Sequence, residues 1–117
     1  ISGNDLYIKF KFYSREYRSI QIRKNDPLCF KFEDRELMKT LSEKSYFLVE
    51  NNDSKRTSLK PVYSLDHAQL QKFSDSKLSH VRIYFNDTYY TYKINKKEQE
   101  KIIRMAKTIL NVYNNNQ

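Results

Sequence analysis

Apolar and polar side chains alternate most regularly in residues 81–85 and 89–94, on either side of Asn86-Asp87. A period of two is typical of half-buried strands, and Asn and Asp favour tight turns. A two-residue turn sets a register that pairs Tyr84 with Tyr89, Arg82 with Thr91 and His80 with Lys93 on one face. The opposite face is expected to meet the core with Val81, Ile83, Phe85, Tyr90, Tyr92 and Ile94.

The pattern changes to a helical period directly after this hairpin. Asn95 and Glu98 have the spacing of an N-terminal capping box, and the helix that follows extends to about Tyr113. The side chains predicted to lie on its buried side are Ile102, Ala106, Ile109, Leu110 and Tyr113. Replacing Ile109 with Asp is therefore expected to unfold the domain, because an unpaired charge would enter the core.

The rest of the chain reads as short strands and short helices. Strands are predicted at residues 6–13, 17–24, 28–32 and 46–49, with an edge strand at 59–63 that contains Pro61. Helices are predicted at 34–44, beginning at Asp34, and at 66–74, where Asp66 and Gln69 form a second capping signal. We therefore predict an α+β fold: an antiparallel sheet of about four to six strands, two short helices and one long C-terminal amphipathic helix.

The length of 117 residues fits one domain, assigned to residues 6–113, with a linker at 1–5 and a polar tail at 114–117. The net charge of +8 favours an acidic partner: nucleic acid, an anionic glycan, an anionic membrane surface or an acidic protein. However, Lys, Asn, Ile, Tyr and Phe are all specified by A/T-rich codons, so base composition alone explains part of this charge.

A surface that is both basic and rich in tyrosine is the main candidate site. The first two predicted strands form a hairpin whose outward face, together with that of the last hairpin, would make one platform. Such a platform holds single-stranded nucleic acid by base stacking and phosphate contacts, and it would equally hold sugars or a peptide. The residues assigned to ligand binding are Tyr7, Lys9, Lys11, Tyr13, Arg23, Arg82, Tyr84 and Tyr89. The ordinary solvent face of an antiparallel sheet explains the same pattern and is the favoured interpretation.

No catalytic motif was found, and no cofactor or metal is expected. One glycine excludes the usual phosphate-binding loops, and the single Cys29 reads as a small buried hydrophobe. His67 and His80 lack the spacing of zinc ligands. The carboxylates of Glu33, Asp34 and Glu36 are interpreted as the charged start of the first helix. No apolar run is long enough for a transmembrane segment.

The sequence thus favours a non-catalytic binding domain with a protein or glycan partner, a module of an exported bacterial protein. The chain begins at Ile1, so a processed or trimmed product is expected. The missing initiator Met permits export, and an extracytoplasmic location is favoured over a cytoplasmic one. The alternative is a binder of single-stranded nucleic acid or another polyanion. Clustering of the basic side chains on one face of the folded chain would favour that alternative.

Overall fold

The computed structural model describes residues 6–9, 12–14, 19–49, 57–59 and 61–115. Within these ranges it contains ten strands and two helices. The strands are β1 (Leu6–Lys9), β2 (Phe12–Ser14), β3 (Ser19–Ile22), β4 (Pro27–Phe32), β5 (Leu37–Leu41), β6 (Tyr46–Val49), β7 (Thr57–Leu59), β8 (Val62–Leu65), β9 (Leu78–Phe85) and β10 (Thr88–Lys93). The helices are α1 (His67–Asp75) and α2 (Lys96–Asn115). The predicted α+β class and the long C-terminal helix are confirmed.

The largest sheet has four antiparallel strands in the order β10-β9-β4-β5. Asn86 and Asp87 connect β9 to β10 with φ angles of 48° and 60°, as a two-residue type I′ turn requires. The register pairs Tyr84 with Tyr89, Arg82 with Thr91 and His80 with Lys93. The predicted hairpin is therefore confirmed residue by residue.

The N-terminal strands do not form the predicted hairpin. β1 pairs with β8, β2 with β7 and β3 with β6, all antiparallel. These partners lie far along the chain, so alternation within each strand could not reveal them. A bridge between Ser42 and Tyr63, and a hydrogen bond from Thr40 Oγ1 to the Ser64 carbonyl at 2.5 Å, join β8 to β5.

The core lies between the four-stranded sheet and α1. The ring of Phe73 on α1 meets Phe30 edge-on at 4.9 Å and Phe32 at 5.6 Å between centroids. Leu28, Phe30 and Phe32 of β4 are buried on this side, which we call the inner face. Ile20, Ile22 and Tyr63 extend the core into the smaller strand pairs with no exposed surface.

Residues 34–44 contain part of a turn and a strand in place of the predicted helix. Leu37–Leu41 is β5, joined to β4 by a turn in which Arg35 has a φ of 73°. The Phe32 amide donates to the Glu36 carbonyl at 3.0 Å, and Leu37 is 73% exposed while Thr40 is buried. The apolar spacing suited a helix, but pairing with β4 outweighed it.

Both predicted helix starts at 66 and 95 are confirmed. Asp66 and Gln69 form a complete capping box on α1, and Asn95 Oδ1 accepts from the Glu98 amide at 2.8 Å on α2. The predicted edge strand at 59–63 is instead split between β7 and β8 around the buried Pro61.

The predicted buried faces of α2 and β10 need correction. Gln99, Ala106 and Leu110 are the buried residues of α2, whereas Ile109 is 42% exposed. Tyr90 and Tyr92 share the inner face but are 55% and 48% exposed. The reason is that α2 packs against α1 and touches β9, while β10 is the edge strand beyond them.

Candidate functional site

The candidate site is the face of the four-stranded sheet that points away from the helices. Side chains on it alternate with the buried residues of β4 and β9, as strand geometry requires. We call this the outer face, and its members are Cys29, Lys31, Leu37, Lys39, Leu41, His80, Arg82, Tyr84, Tyr89, Thr91 and Lys93.

Positive charge is segregated onto this face. All four cations of the sheet lie on it: Lys31, Lys39, Arg82 and Lys93. No Asp or Glu occurs in β4, β5, β9 or β10. A second group of cations lies on the exposed side of α2, but there Glu98 and Glu100 are interspersed. The outer face is therefore the more uniformly basic of the two surfaces.

Arg82 is held in place at the centre of the outer face. Its Nε donates to Thr91 Oγ1 at 2.9 Å, and its guanidinium carbon lies 4.1 Å from the centroid of the Tyr89 ring. The pKa of Arg82 is raised, chiefly by a side-chain hydrogen bond with Tyr84. The Tyr84 and Tyr89 rings lie 5.6 Å apart at 51°. These contacts order one cation beside two aromatic rings.

A shallow depression of about 710 Å³ runs across the four strands beside this cluster. It is lined by Cys29, Phe30, Lys31, Leu37, Met38, Lys39, His80, Arg82, Tyr84 and Thr91. The lining combines cations, an aromatic ring and exposed aliphatic surface. Such a surface suits a ligand that lies across strands better than a small molecule enclosed on all sides.

Neither Cys29 nor the acidic cluster has the setting of a reactive group. Burial raises the pKa of the Cys29 thiol, against the opposing effects of Lys39 and Arg82, so the thiol stays protonated at neutral pH. Asp34 and Glu36 both pair with Lys72 of α1, at 2.5 and 2.6 Å. Glu33 accepts from Gln99 Nε2 at 2.6 Å. The three carboxylates therefore fasten the β4–β5 turn to the helices and do not begin a helix.

The structure brings together three of the residues assigned to ligand binding, Arg82, Tyr84 and Tyr89. Arg23 does not join this group, because its guanidinium binds both carboxylate oxygens of Asp87 in the β9–β10 turn, at 2.5 and 3.0 Å. The backbones of Tyr7, Lys9 and Tyr13 belong to β1 and β2, which are not neighbours of β9 or β10. Their side chains and Lys11 lie outside the described residues. The predicted merger of two hairpins through the N-terminal strands is thus wrong.

The second half of the outer face comes from β4 and β5. The sequence predicts β4 as a strand at 28–32, but it predicts a helix in place of β5. Without β5 as a partner strand, Lys31, Leu37 and Lys39 are not assigned to the site. The available signal was the spacing of Cys29-x-Lys31 and Leu37-x-Lys39 around an acidic turn. Had that turn been recognised, these side chains would have been placed on one face.

Two further features were sought in the described ranges, a metal-binding cluster and a helix suited to crossing a membrane. No group of three or more His, Cys, Asp and Glu side chains there is arranged to hold a metal ion. His80 Nδ1 contacts Ser79 Oγ, and the ring of His67 lies 5.1 Å from that of Tyr113. Within those same ranges, neither helix combines the length and apolar character of a membrane span.

The chain matches no known family model, and comparisons with curated proteins and with solved structures found no significant match. The outer face is therefore interpreted from its own chemistry.

Proposed function

We propose that this protein is a non-catalytic binding module that holds an extended polyanion on its outer face. The favoured ligand is single-stranded nucleic acid. The observation that carries the proposal is the segregation of all four cations of the sheet, with Tyr84 and Tyr89, onto one acid-free face.

The chemistry of the ligand follows from the groups on that face. Tyr89 is 53% exposed, and Arg82 is stacked on its ring, so a base could stack against the aromatic surface that remains. Lys31 and Lys39 lie on β4 and β5, one and two strands beyond β9, and would contact phosphates of a chain that crosses the strands. Single-stranded chains with unstacked bases meet both requirements, whereas a duplex offers only its phosphates.

A protein partner is the second candidate, and one observation favours it. Leu37 and Leu41 are 73% and 43% exposed on the same face, beside Lys39. Apolar side chains among cations suit an acidic protein surface with its own apolar contacts. A glycan partner has no comparable observation in its support.

Binding of a fluorescently labelled single-stranded oligonucleotide, measured by anisotropy across a salt series, tests the proposal. We expect log Kd to rise linearly with log salt, with a slope of about 0.7 per phosphate contacted. Lys39→Glu should weaken binding about tenfold or more, because it replaces an attraction with a repulsion. Tyr84→Ala should leave the fold intact and weaken binding, because it removes the ring beside Tyr89 and the hydrogen bond with Arg82. Stacking contributes about 1–3 kcal/mol per base.

Two matched variants serve as controls. Lys101→Glu makes the same charge change on the exposed side of α2, and Phe47→Ala removes an aromatic side chain that is 63% exposed on β6. Both should bind as the wild type does if the outer face is the site. If Lys101→Glu weakens binding as much as Lys39→Glu, net charge alone drives binding and the proposed site is wrong. Absence of binding at low salt would point to the protein partner.

A further inference from the structure

The outer edge of β10 is a second candidate interaction surface in the described part of the chain, separate from the outer face of the sheet. β9 is the one strand that pairs with β10 in these ranges, and no described strand pairs with the other edge of β10. Natural edge strands are usually protected by proline, bulges or charged side chains, lysine above all. β10 reads Thr-Tyr-Tyr-Thr-Tyr-Lys and pairs with β9 without a register shift, so the one such device that it carries is Lys93 at its end.

The register identifies which backbone groups face this edge. Phe85 and Thr88 close the two-residue turn and therefore exchange hydrogen bonds, and the Ile94 amide donates to the Ser79 carbonyl at 2.9 Å. Even-numbered residues of β10 thus bond to β9. The amides and carbonyls of Tyr89, Thr91 and Lys93 consequently point toward the outer edge.

We propose that a second copy of the chain pairs with this edge, β10 against β10 in antiparallel orientation, about a two-fold axis through Thr91. The sequence is symmetric there, because Tyr90 and Tyr92 flank Thr91. On the inner face, Tyr90 of each copy meets Tyr92 of the other, covering rings that are now 55% and 48% exposed.

The same two-fold axis also keeps the charged side chains of the two β10 strands from facing each other. Lys93 is the sole charged residue of β10, and this register sets it opposite Tyr89 of the second copy and not opposite another Lys93. The axis is perpendicular to the sheet, so both outer faces lie on one side of a continuous eight-stranded sheet. The net charge of +8 on each copy opposes the association. Added salt should therefore strengthen the dimer.

Sedimentation of the full chain from low to high micromolar concentration, at low salt and at about 0.5 M salt, measures the association. We expect a monomer–dimer equilibrium that shifts toward dimer as salt rises. Thr91→Pro removes an amide that faces the edge while leaving the bonds to β9 intact. It should raise the dissociation constant about tenfold or more, through loss of the two central hydrogen bonds. Thr91→Val is the control, because it keeps the amide and should still dimerise.

Disulfide trapping tests the register itself, with Cys29→Ser as the background. Tyr90 and Tyr92 of different copies would have Cα atoms about 4.5 Å apart, within the range of a disulfide. A mixture of Tyr90→Cys and Tyr92→Cys proteins should cross-link on oxidation. Neither variant should cross-link alone, because like residues are diagonal at about 7–8 Å.

Three results would overturn the proposal: a monomer at every concentration and salt, a dimer unaffected by Thr91→Pro, or a mixture that fails to cross-link. A monomer that binds unrelated extended peptides would assign the edge to another protein. None of these results bears on oligonucleotide binding, which weakens with salt where the dimer strengthens. The two proposals can therefore fail separately.

Discussion

Asn86 is the residue that ties the β9–β10 turn to the smaller strand pairs. Its Oδ1 accepts from the Gln21 amide at 2.7 Å, its Nδ2 donates to the Ser19 carbonyl at 2.9 Å, and its own amide donates to the Gln21 carbonyl at 2.9 Å. The side chain thereby takes the place of a neighbouring strand on the edge of β3. Asn86 therefore both adopts the left-handed conformation of the turn and links the four-stranded sheet to β3.

Asn86→Gly is expected to lower the free energy of unfolding by about 2 kcal/mol. Glycine keeps the positive φ without strain, so the loss reflects the two side-chain hydrogen bonds at about 1 kcal/mol each. Urea denaturation measures it. Asp87→Gly is the control, because Asp87 has a φ of 60° and its carboxylate contacts the exposed Arg23. Equal losses in both variants would contradict the structural role of Asn86.

Tyr63 should make the fold sensitive to alkali. Its side chain has no exposed surface, and burial raises the pKa of its hydroxyl well above the ordinary value near 10. Below pH 10 the proton is bound in both the folded and unfolded states, so the contribution is constant. Above pH 10 the unfolded chain releases it first, and stability falls by about 1.4 kcal/mol per pH unit from this residue.

Urea denaturation of the wild type and of Tyr63→Phe between pH 8 and 11 tests this expectation. The phenylalanine variant should lose less stability over the upper part of the range, because it has no proton to release. Parallel pH profiles for the two proteins would show that Tyr63 does not ionise differently in the folded and unfolded states.

At the scale of elements, α2 shows that a helical pattern identifies a helix but does not separate its buried residues from their exposed neighbours. Ile109 and Leu110 are adjacent, yet Leu110 is 6% exposed and Ile109 is 42% exposed. Leu110→Ala should cost about 2–4 kcal/mol by creating a cavity, whereas Ile109→Ala should cost less than about 1 kcal/mol. Thermal or urea unfolding of the two variants measures both losses of stability. A larger loss at Ile109 would restore the interpretation from periodicity, in which Ile109 lies in the core.

A substitution in the β4–β5 turn should change the stability of the protein in opposite directions, depending on whether residues 34–44 form a turn and strand or a helix. Arg35 has a φ of 73°, a conformation that costs a non-glycine residue about 1 kcal/mol or more. Arg35→Gly should therefore stabilise the protein by up to about 1 kcal/mol. In a helix the same substitution would destabilise it by about 1 kcal/mol. The sign of the change in melting temperature distinguishes the two structures.

Elements specified by adjacent residues could be predicted from the sequence. The β9–β10 hairpin, its register and both capped helix starts depend on turn and cap residues that are close along the chain. Residues 34–44 could not be resolved in this way, because Leu37, Met38 and Leu41 fit a helical face as well as a strand. The partners of β1, β2 and β3 depend on contacts across long stretches of sequence, which local patterns do not encode.

At the scale of the whole molecule, the same limit explains what was missed at the candidate site. Arg82, Tyr84 and Tyr89 lie on a hairpin that the sequence predicts, so their shared face was predicted with it. Lys31 and Lys39 reach that face because β4 pairs with β9 some fifty residues later in the chain. The charge itself was visible in the composition, but its segregation depends on the order of strands in the sheet.

The order β10-β9-β4-β5 has a consequence for the kinetics of folding. The outer pairs, β9–β10 and β4–β5, are hairpins with short loops, and isolated hairpins form within about 1–10 μs. The central pair, β4–β9, closes a much longer loop, and such non-local pairings slow folding to milliseconds or longer. We expect the rate-limiting step to be the meeting of two preformed hairpins. Truncating Ile83 or Leu28, which face each other across that pairing, should therefore slow folding more than it accelerates unfolding.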